Sequence, residues 1–254
     1  MGSRVLALAI QSGRFRIAGA CERKGHPAVG RDAGDWSGSG RIGLDIVDEL
    51  PAALPNPSVC VDFTFPESTR QTLDWAEKAQ CALVIGTTGL SSGDQLRLDR
   101  AARLLPVVYS PNMSIGVNMM FKLIREAASG LGRAYDMEII EYHHNLKKDA
   151  PSGTALKMAE ILSGELGKDL KDAAVYHRQG ITGERKKETI GIQSVRAGDI
   201  VGEHTVLFAG PGERLEITHR AGSRDNFAAG ALKAAEWVVG KSAGLYDMQA
   251  VLGI

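Results

Sequence analysis

The strongest constraint on the fold is an alternation of short apolar segments with helical segments over residues 4–110. Parallel strands need long crossover connections and are buried on both faces, so this alternation is typical of a parallel sheet covered by helices. The predicted strands are 15–21, 58–64, 82–87 and 107–110, and the predicted helices are 4–12, 67–79 and 93–104. A glycine-rich loop through Gly34, Gly38 and Gly40 is expected between the first two strands.

The pattern changes after Pro111. Polar and apolar residues alternate between Val175 and Thr218, which predicts an antiparallel sheet with one face open to solvent or to a partner. The predicted elements here are a helix at 116–128, a strand at 137–144, a helix opening at 151–154, an exposed loop at 180–187, and strands at 189–196, 204–208 and 214–219. A last helix, 226–239, is apolar enough to pack back on the first part of the chain.

Together these patterns predict an α/β chain with two domains. Residues 1–112 and 225–254 are expected to form a Rossmann-like, doubly wound nucleotide-binding domain. Residues 113–224 are expected to form an inserted α+β domain with a mixed or antiparallel open sheet, joined through hinges near 112 and 224.

Charge and composition exclude several classes of partner. Thirty Lys plus Arg and thirty Asp plus Glu give a formal net charge of zero, so no overall field favours a nucleic acid or an anionic membrane. No apolar run approaches the ~18 residues that span a bilayer. Cys21, Cys60 and Cys81 lack C-x-x-C spacing, which is typical of free thiols in a reducing compartment. We therefore expect a cytoplasmic protein with no nucleic-acid and no membrane partner.

The spacing from Gly2 to Glu22 resembles part of a dinucleotide-binding unit. In such a unit a helix begins at a glycine-rich turn that holds the pyrophosphate, and an acidic residue about 20 positions later binds the ribose. Gly2 opens the first predicted helix, and Glu22 ends the next predicted strand. Spacing alone leaves two interpretations of Glu22, a ribose ligand or an ordinary exposed residue at a strand end.

The segment EYHHNLKKDAPSGT, residues 141–154, carries the clearest chemistry. It places His143, His144, Lys147 and Lys148 just before a helix whose first turn is 152–154. A helix start offers free N–H groups and a favourable dipole, and glycine lets a ligand approach the backbone, so the segment predicts an anion site suited to carboxylates. Because imidazole titrates near neutral pH, a histidine here is also a candidate general acid.

The histidine pair has two other interpretations. One histidine of a lone pair often faces the core and bonds a backbone carbonyl. A zinc site is less favoured, because no cysteine and no His at i+3 or i+4 completes a tetrahedral set and the neighbouring lysines oppose a cation. We predict no metal.

Two further loops follow predicted strands at the edge where a doubly wound sheet binds its ligands. They are GTTG at 86–89 and SPNM at 110–113. Each alone is equally a plain turn. Two such loops at one edge favour a cofactor site.

Several segments together make the chain resemble the 4-hydroxy-tetrahydrodipicolinate reductase family, also called dihydrodipicolinate reductases. The resemblance extends nearly end to end and is carried by EYHHNLKKDAPSGTA, VIGTTG, SPNMSIGVN, TGER, TIGIQSVRAGDIVGEHTV and ERLEITHRAGSRDNFAAGAL. It implies NAD(P)H-dependent reduction of 4-hydroxy-tetrahydrodipicolinate in lysine and diaminopimelate biosynthesis. It also implies a homotetramer in which residues 1–112 and 225–254 bind the dinucleotide and residues 113–224 bind substrate and form the oligomer.

The resemblance also implies roles for single residues. His143 takes the place of the proton donor or acceptor and Lys147 that of the second donor, while His144, Gly153 and Thr154 fall where the family holds substrate carboxylates. Glu22 matches the ribose ligand and Arg23 the neighbour that accommodates a 2′-phosphate. The remaining implied cofactor residues are Met1, Gly86, Thr87, Thr88, Ser110, Pro111, Asn112 and Met113.

The amino end departs from the family, whose chains normally begin with a strand and a G-x-x-G-R-M-G turn. Only Met1 and Gly2 of this pattern are present. We expect either a start upstream of Met1, which we favour, or a domain that folds without its central strand, binds NAD(P)H weakly and exposes strand edges.

Two alternative functions remain open. One is a catalytically impaired homologue that keeps assembly and dicarboxylate binding but not cofactor binding. The other, an oxidoreductase acting on a different small acid, is disfavoured by the paired histidines and the SGT helix start.

Overall fold

The computed structural model describes residues 1–50 and 58–254 of the chain. They form two compact units, which are described separately: unit 1 comprises Met1–Ile115 and Arg224–Ile254, and unit 2 comprises Gly116–Ser223. The assignment of dinucleotide binding and of substrate binding with oligomerisation to two domains stays a prediction.

Helices and strands alternate in most of the first part of the chain. Before residue 116 they are α1 (Gly2–Ser12), β1 (Ala20–Cys21), α2 (Ala33–Ser37), β2 (Ile46–Val47), β3 (Val59–Asp62), α3 (Pro66–Ala79), β4 (Ala82–Ile85), α4 (Ser92–Ala102) and β5 (Pro106–Tyr109). The next are α5 (Ile115–Leu131), a 3₁₀ turn (Gly132–Ala134), β6 (Asp136–His143), α6 (Gly153–Glu165), α7 (Leu170–Ala173), β7 (Ala174–Val175), β8 (Ile190–Arg196), β9 (Gly202–Gly210) and β10 (Glu213–Ala221). The chain then returns to unit 1 with α8 (Asp225–Val238), β11 (Gly244–Tyr246) and α9 (Met248–Leu252).

Unit 1 contains a four-stranded parallel sheet in the order β11-β5-β4-β3, and β1 pairs with β2 in a separate two-stranded parallel sheet. The inner strand β4 is apolar, and all four of its residues are buried. The helices α1 and α8 pack together on one face through Val5, Ala9 and Ala231, while α3 and α4 contribute Leu73 and Leu98 to a second core. This arrangement confirms the predicted doubly wound α/β class.

Unit 2 contains a five-stranded mixed sheet in the order β10-β9-β6-β8-β7. Its central strand β6 runs antiparallel to β9 and parallel to β8. One face of β6, with Met137 and Ile139, packs into a core with Ile124 of α5 and Leu162 of α6. The α+β class with a mixed sheet is therefore confirmed for this part of the chain.

Three local predictions were wrong. The predicted strand 15–21 is reduced to the two residues of β1, because it has only the short β2 as a hydrogen-bonded neighbour in the described residues. The predicted glycine-rich loop contains the helix α2, which Asp32 caps by accepting hydrogen bonds from the N–H groups of Gly34 and Asp35. The strand predicted at 189–196 is not antiparallel to its neighbours, since β8 lies between β6 and β7 and is parallel to both.

Candidate active site

A cleft of about 330 Å³ opens in unit 1, where the chain leaves the carboxyl ends of β3, β4 and β5. Its volume lies within the range of small-molecule sites. The lining residues are Met1, Phe63, Thr64, Gly86, Thr87, Thr88, Pro111, Asn112, Met113, Arg224 and Phe227. The cleft therefore contains seven of the residues predicted to bind the cofactor, and Phe63, Thr64, Arg224 and Phe227 were not predicted.

Hydroxyl groups line one part of the unit 1 cleft and are bonded to a buried carboxylate. Asp62 Oδ1 accepts hydrogen bonds from the backbone N–H of Thr64 at 2.9 Å and from its hydroxyl at 2.6 Å. The Thr87 hydroxyl donates to the same oxygen at 3.3 Å. Asp62 Oδ2 is buried without a partner among the described residues. The Asp62 carboxylate therefore orients the Thr64 and Thr87 hydroxyls from beneath the cleft lining.

Glycine is required where the cleft follows β4. A Cβ atom at Gly86 would lie 2.3 Å from the ring of Phe63, so a side chain here displaces either the ring or the backbone. The absence of a side chain at position 86 lets the Phe63 ring pack on the backbone at the edge of the parallel sheet where doubly wound folds bind nucleotides. The cleft thus fits part of a nicotinamide dinucleotide.

The other predicted cofactor residues lie outside this lining. Ser110 is buried, and its hydroxyl donates to the carbonyl oxygen of Asn112 at 2.8 Å, so it shapes the turn. Glu22 and Arg23 follow β1, and Glu22 accepts a hydrogen bond from the backbone N–H of Arg23 at 2.8 Å. The structure does not bring Glu22 or Arg23 into the cleft.

In unit 2, the strand register gathers polar side chains at the end of β6. Glu141 and His143 are two residues apart and therefore lie on the same face of the strand. Glu141 pairs with His204 on β9, and His143 pairs with Arg196 on β8. We call Glu141, His143, Arg196 and His204 the acid–base cluster.

Glu141 lies at the centre of the acid–base cluster and is fully buried. Its Oε2 atom forms a very short hydrogen bond with Nδ1 of His143. Its Oε1 atom accepts from the Arg196 guanidinium at 2.8 Å and from the backbone N–H of Ser152 at 3.3 Å. Burial raises the pKa of Glu141, but the hydrogen bonds from His143 and Arg196 outweigh burial and hold this pKa well below its usual range. The carboxylate is therefore ionised at neutral pH.

His204 is buried and electrically neutral at neutral pH. Burial, and then the charge of His143, lower the pKa of His204 to about 4. Its ring stands edge-on to that of His143, with 5.3 Å between the centroids, and Nε2 lies 3.2 Å from the Ser152 hydroxyl. Ligand atoms of Glu141, His143 and His204 lie within 4.8 Å of one another. Because Glu141 already binds His143 and the cationic Arg196, this trio does not suit a metal ion.

The loop after β6 carries the other predicted catalytic and substrate residues. The Lys147 ammonium lies 2.8 Å from both carboxylate oxygens of Asp149, and its side chain is 20% exposed. Arg196 also donates to the Asp149 carbonyl at 2.8 Å, so the guanidinium connects this loop to Glu141.

The loop ends at the predicted helix start. Ser152 caps α6 by accepting from the N–H of Ala155 at 3.2 Å. No atom lies within 4 Å of a Cβ placed on the exposed Gly153, while Thr154 and His144 are half-buried. The helix start is therefore open to a ligand at Gly153.

Sequence reasoning did not identify Glu141, Arg196 and His204 as members of this site. Glu141 could have been found, because a strand places residues i and i+2 on the same face. Arg196 and His204 reach the site only through the pairing of β8 and β9 with β6, which no local pattern specifies.

Comparison with known proteins is consistent along the whole chain. The family model described as dihydrodipicolinate reductase, N-terminus, matches residues 1–113, and the model described as dihydrodipicolinate reductase, C-terminus, matches residues 116–252. A 4-hydroxy-tetrahydrodipicolinate reductase of Syntrophus aciditrophicus is 50% identical over 253 residues, which are 100% of this chain and 94% of that protein. The reductase of Geobacter sulfurreducens is 50% identical over 254 residues, covering 100% and 95%.

Solved structures show the same fold. A dipicolinate-bound dihydrodipicolinate reductase from Paenisporosarcina sp. TG-14 has a TM-score of 0.72 at 22% identity, over 97% of this chain and 94% of that one. An amine dehydrogenase from Mycobacterium smegmatis has a TM-score of 0.57 at 13% identity, over 96% and 91%. No helix in the described parts of the chain is long and apolar enough to cross a membrane. From the two family models and the full-length relatives, we conclude that the chain belongs to the 4-hydroxy-tetrahydrodipicolinate reductase family.

Proposed function

We propose that this chain reduces 4-hydroxy-tetrahydrodipicolinate to tetrahydrodipicolinate with NADH or NADPH, and that His143 and Lys147 handle the protons. The reaction belongs to lysine and diaminopimelate biosynthesis. It replaces a hydroxyl group by hydrogen, so a hydride and a proton are consumed and water is released. Nothing among the described residues or the relatives supports the alternative of a catalytically impaired homologue.

The observation that carries the proposal is the ionised, buried Glu141 bound to Nδ1 of His143. A carboxylate beside an imidazole stabilises its protonated form and holds the ring in one orientation. His143 is only 12% exposed, so its ring is largely shielded from water. These are the properties required of a general acid.

The substrate carboxylates are proposed to bind at the start of α6. Backbone N–H groups at a helix N-terminus attract anions, and Gly153 leaves the approach open. Lys147, His144 and the Thr154 hydroxyl would add donors. The dipicolinate bound to the Paenisporosarcina relative is a planar dicarboxylate, which supports a site of this charge and shape.

NADH or NADPH, when bound, supplies the hydride. Thr64, Thr87, Thr88 and Asn112 would hold its polar groups in the unit 1 cleft. Met1, Gly86, Pro111 and Met113 would shape the cleft, with Ser110 supporting the turn. Glu22 and Arg23 are proposed as the ribose and 2′-phosphate ligands.

A homotetramer is proposed as the assembled state. Met137 and Ile139 pack on α5 and α6 from one face of the unit 2 sheet. The opposite face carries Ile140, Tyr142, Val195 and Leu207. Val195 is 36% exposed there. This face also carries the ion-paired Glu138, so it combines apolar and charged groups that a second copy of the chain could cover, and light scattering measures the resulting mass. The three free cysteines support a reducing, cytoplasmic location.

Single substitutions at the two proton-handling residues test the proposed function. His143→Ala and Lys147→Ala should each lower kcat by roughly 10² to 10⁴, the usual contribution of a general acid. NADH affinity should stay unchanged, because both residues lie outside the unit 1 cleft. Coenzyme oxidation in stopped flow measures kcat, and fluorescence titration measures NADH affinity. His177→Ala, at an exposed histidine outside the site, serves as the control. Full turnover in the His143 variant would refute the proposed role.

A further inference from the structure

We propose that Glu141 is a positioning residue that fixes the tautomer of His143, so that Nε2 is the atom that exchanges a proton with the substrate. This inference rests on the proton-handling role proposed for His143. Glu141 acts through His143 and not on the substrate, and it determines which nitrogen of the His143 ring takes part.

The ionised Glu141 carboxylate determines where the His143 ring carries its proton. A carboxylate accepts hydrogen bonds and cannot donate one. Glu141 Oε2 is bonded to Nδ1 of His143, so Nδ1 must carry a proton in both the neutral and the cationic ring. In the neutral ring Nε2 is then without a proton, and it is the atom that gains and loses one.

The other oxygen of Glu141 is held by separate donors. Arg196 donates to Oε1 at 2.8 Å, and the Ser152 N–H donates to it at 3.3 Å. Both are donors under all relevant conditions, so they orient the carboxylate with Oε2 directed at His143. Arg196 is itself fixed by a second bond, to the carbonyl oxygen of Asp149. The orientation of the His143 ring is therefore set by strand β8 and by the loop that carries Lys147.

Position 202 carries no side chain beside Nε2 of His143. Gly202 lies beside the ring, and a Cβ atom there would come within 3.0 Å of Nε2. The adjacent histidine does not compete for the role, because His204 is neutral at neutral pH and its Nε2 atom lies 3.2 Å from the Ser152 hydroxyl. Nε2 of His143 is thus the ring nitrogen left for an incoming group.

A matched control exists on the same strand. Glu138 lies three residues before Glu141, on the opposite face of β6, and its carboxylate is bound by Arg178 and Arg185. Each glutamate is thus a shielded carboxylate in an ion pair with arginine, and only Glu141 contacts a histidine. Glu138→Gln therefore reports the effect of removing a carboxylate from an ion pair on this strand, and Glu141→Gln reports the effect on His143.

The Glu141→Gln substitution should reverse the direction of the hydrogen bond to Nδ1 of His143. Arg196 and the Ser152 N–H are both donors and will bind the amide oxygen, which turns the amide NH₂ toward Nδ1 of His143. The neutral ring must then accept at Nδ1 and carry its proton on Nε2. The imidazolium also loses its negative partner. We expect kcat to fall by on the order of 10²-fold, with KM and NADH affinity little changed.

Two readouts separate positioning from simple loss of structure. ¹⁵N NMR of labelled histidine should show the neutral His143 ring protonated at Nδ1 in the unaltered protein and at Nε2 in Glu141→Gln, with His143→Asn assigning the signal. The basic limb of the pH profile of kcat should move to lower pH in Glu141→Gln, because the cationic ring is less stabilised. Glu138→Gln should change neither readout.

The outcomes are decisive even if the variant folds poorly. An Nε2-protonated neutral His143 in the unaltered protein would overturn the proposal without any variant. So would a folded Glu141→Gln enzyme with unchanged kcat and an unchanged pH profile. If His143→Ala loses turnover while Glu141→Gln keeps it, only the positioning role fails. If His143→Ala keeps turnover, the proposed function itself fails.

Discussion

The unit 1 cleft and the acid–base cluster of unit 2 differ in the chemical groups that form them. The cleft is formed where the chain leaves consecutive parallel strands, and most of its lining is backbone, hydroxyl groups and apolar side chains. The acid–base cluster is formed across strands by two histidines, an arginine and a carboxylate that is completely buried. A coenzyme that brings its own reactive group needs a shaped cleft, whereas proton transfer needs charges held in a fixed arrangement.

The two sites therefore fail in different ways when altered. In the cleft, an added atom blocks the space that a ligand would occupy. In the acid–base cluster, a change of one atom from acceptor to donor reverses the hydrogen-bond pattern without altering its shape. Variants confined to one unit are the direct way to separate these two kinds of failure.

The largest separation is expected from Gly86→Ala. A Cβ atom 2.3 Å from the Phe63 ring forces the ring or the backbone to move into the cleft. We expect NADH affinity to fall by on the order of 10²-fold, while the NMR signal of His143 in unit 2 stays unchanged. Gly164→Ala is the control, because it lies in α6 with no atom within 4 Å of the new Cβ. Unchanged NADH affinity in Gly86→Ala would show that the cleft does not hold the coenzyme.

An intermediate effect is expected from inhibitors that differ by one carboxylate. Pyridine-2,6-dicarboxylate should bind more tightly than pyridine-2-carboxylate by about 1 to 2 kcal/mol, because the monoacid leaves donors at Lys147 or at the start of α6 unpaired. Competition against the substrate measures both inhibition constants.

Lys147→Ala tests whether Lys147 binds the second carboxylate of the inhibitor. The variant should bring the two inhibition constants closer together, since one of the donors is gone. The exposed Lys171→Ala, on α7, should leave the gap intact. Equal inhibition of the unaltered enzyme by the two acids would place the carboxylate site elsewhere.

The same contrast explains what the sequence could predict. Gly86–Thr88 and Pro111–Met113 were found because a site at the ends of parallel strands is local: each loop directly follows its strand. His143 and Lys147 could be selected as candidates for a similar reason, since they lie in one continuous segment before a helix start. The α/β class was also accessible, because it depends on the alternation of apolar segments with helices.

What the sequence could not predict depends on register. Arg196 and His204 lie 53 and 61 positions from His143 along the chain, and they meet it only because β8 and β9 flank β6 in one particular alignment. The parallel direction of β8 was missed for the same reason, since β8 has the composition of an antiparallel strand. The predicted strand 15–21 had the composition for pairing, but within residues 1–50 and 58–254 it pairs only with the two-residue β2.

The smallest expected effect concerns how the free energy of unfolding depends on pH through His204 of the acid–base cluster. The pKa of His204 is lowered to about 4 in the folded chain, against 6.5 for an ordinary histidine. The unfolded chain therefore binds more protons between these values, so this group stabilises the fold above pH ~6.5 and the contribution is lost as pH falls toward 4. From pH 7 to pH 5.5, a window above the usual titration of carboxylates, the loss from His204 should be about 1 kcal/mol.

Urea unfolding of His204→Gln should show a pH dependence smaller by that amount over this window, with His26→Gln in unit 1 as the control. A His204→Gln chain with the pH dependence of the unaltered protein would mean that burial does not lower the pKa of His204 in the fold.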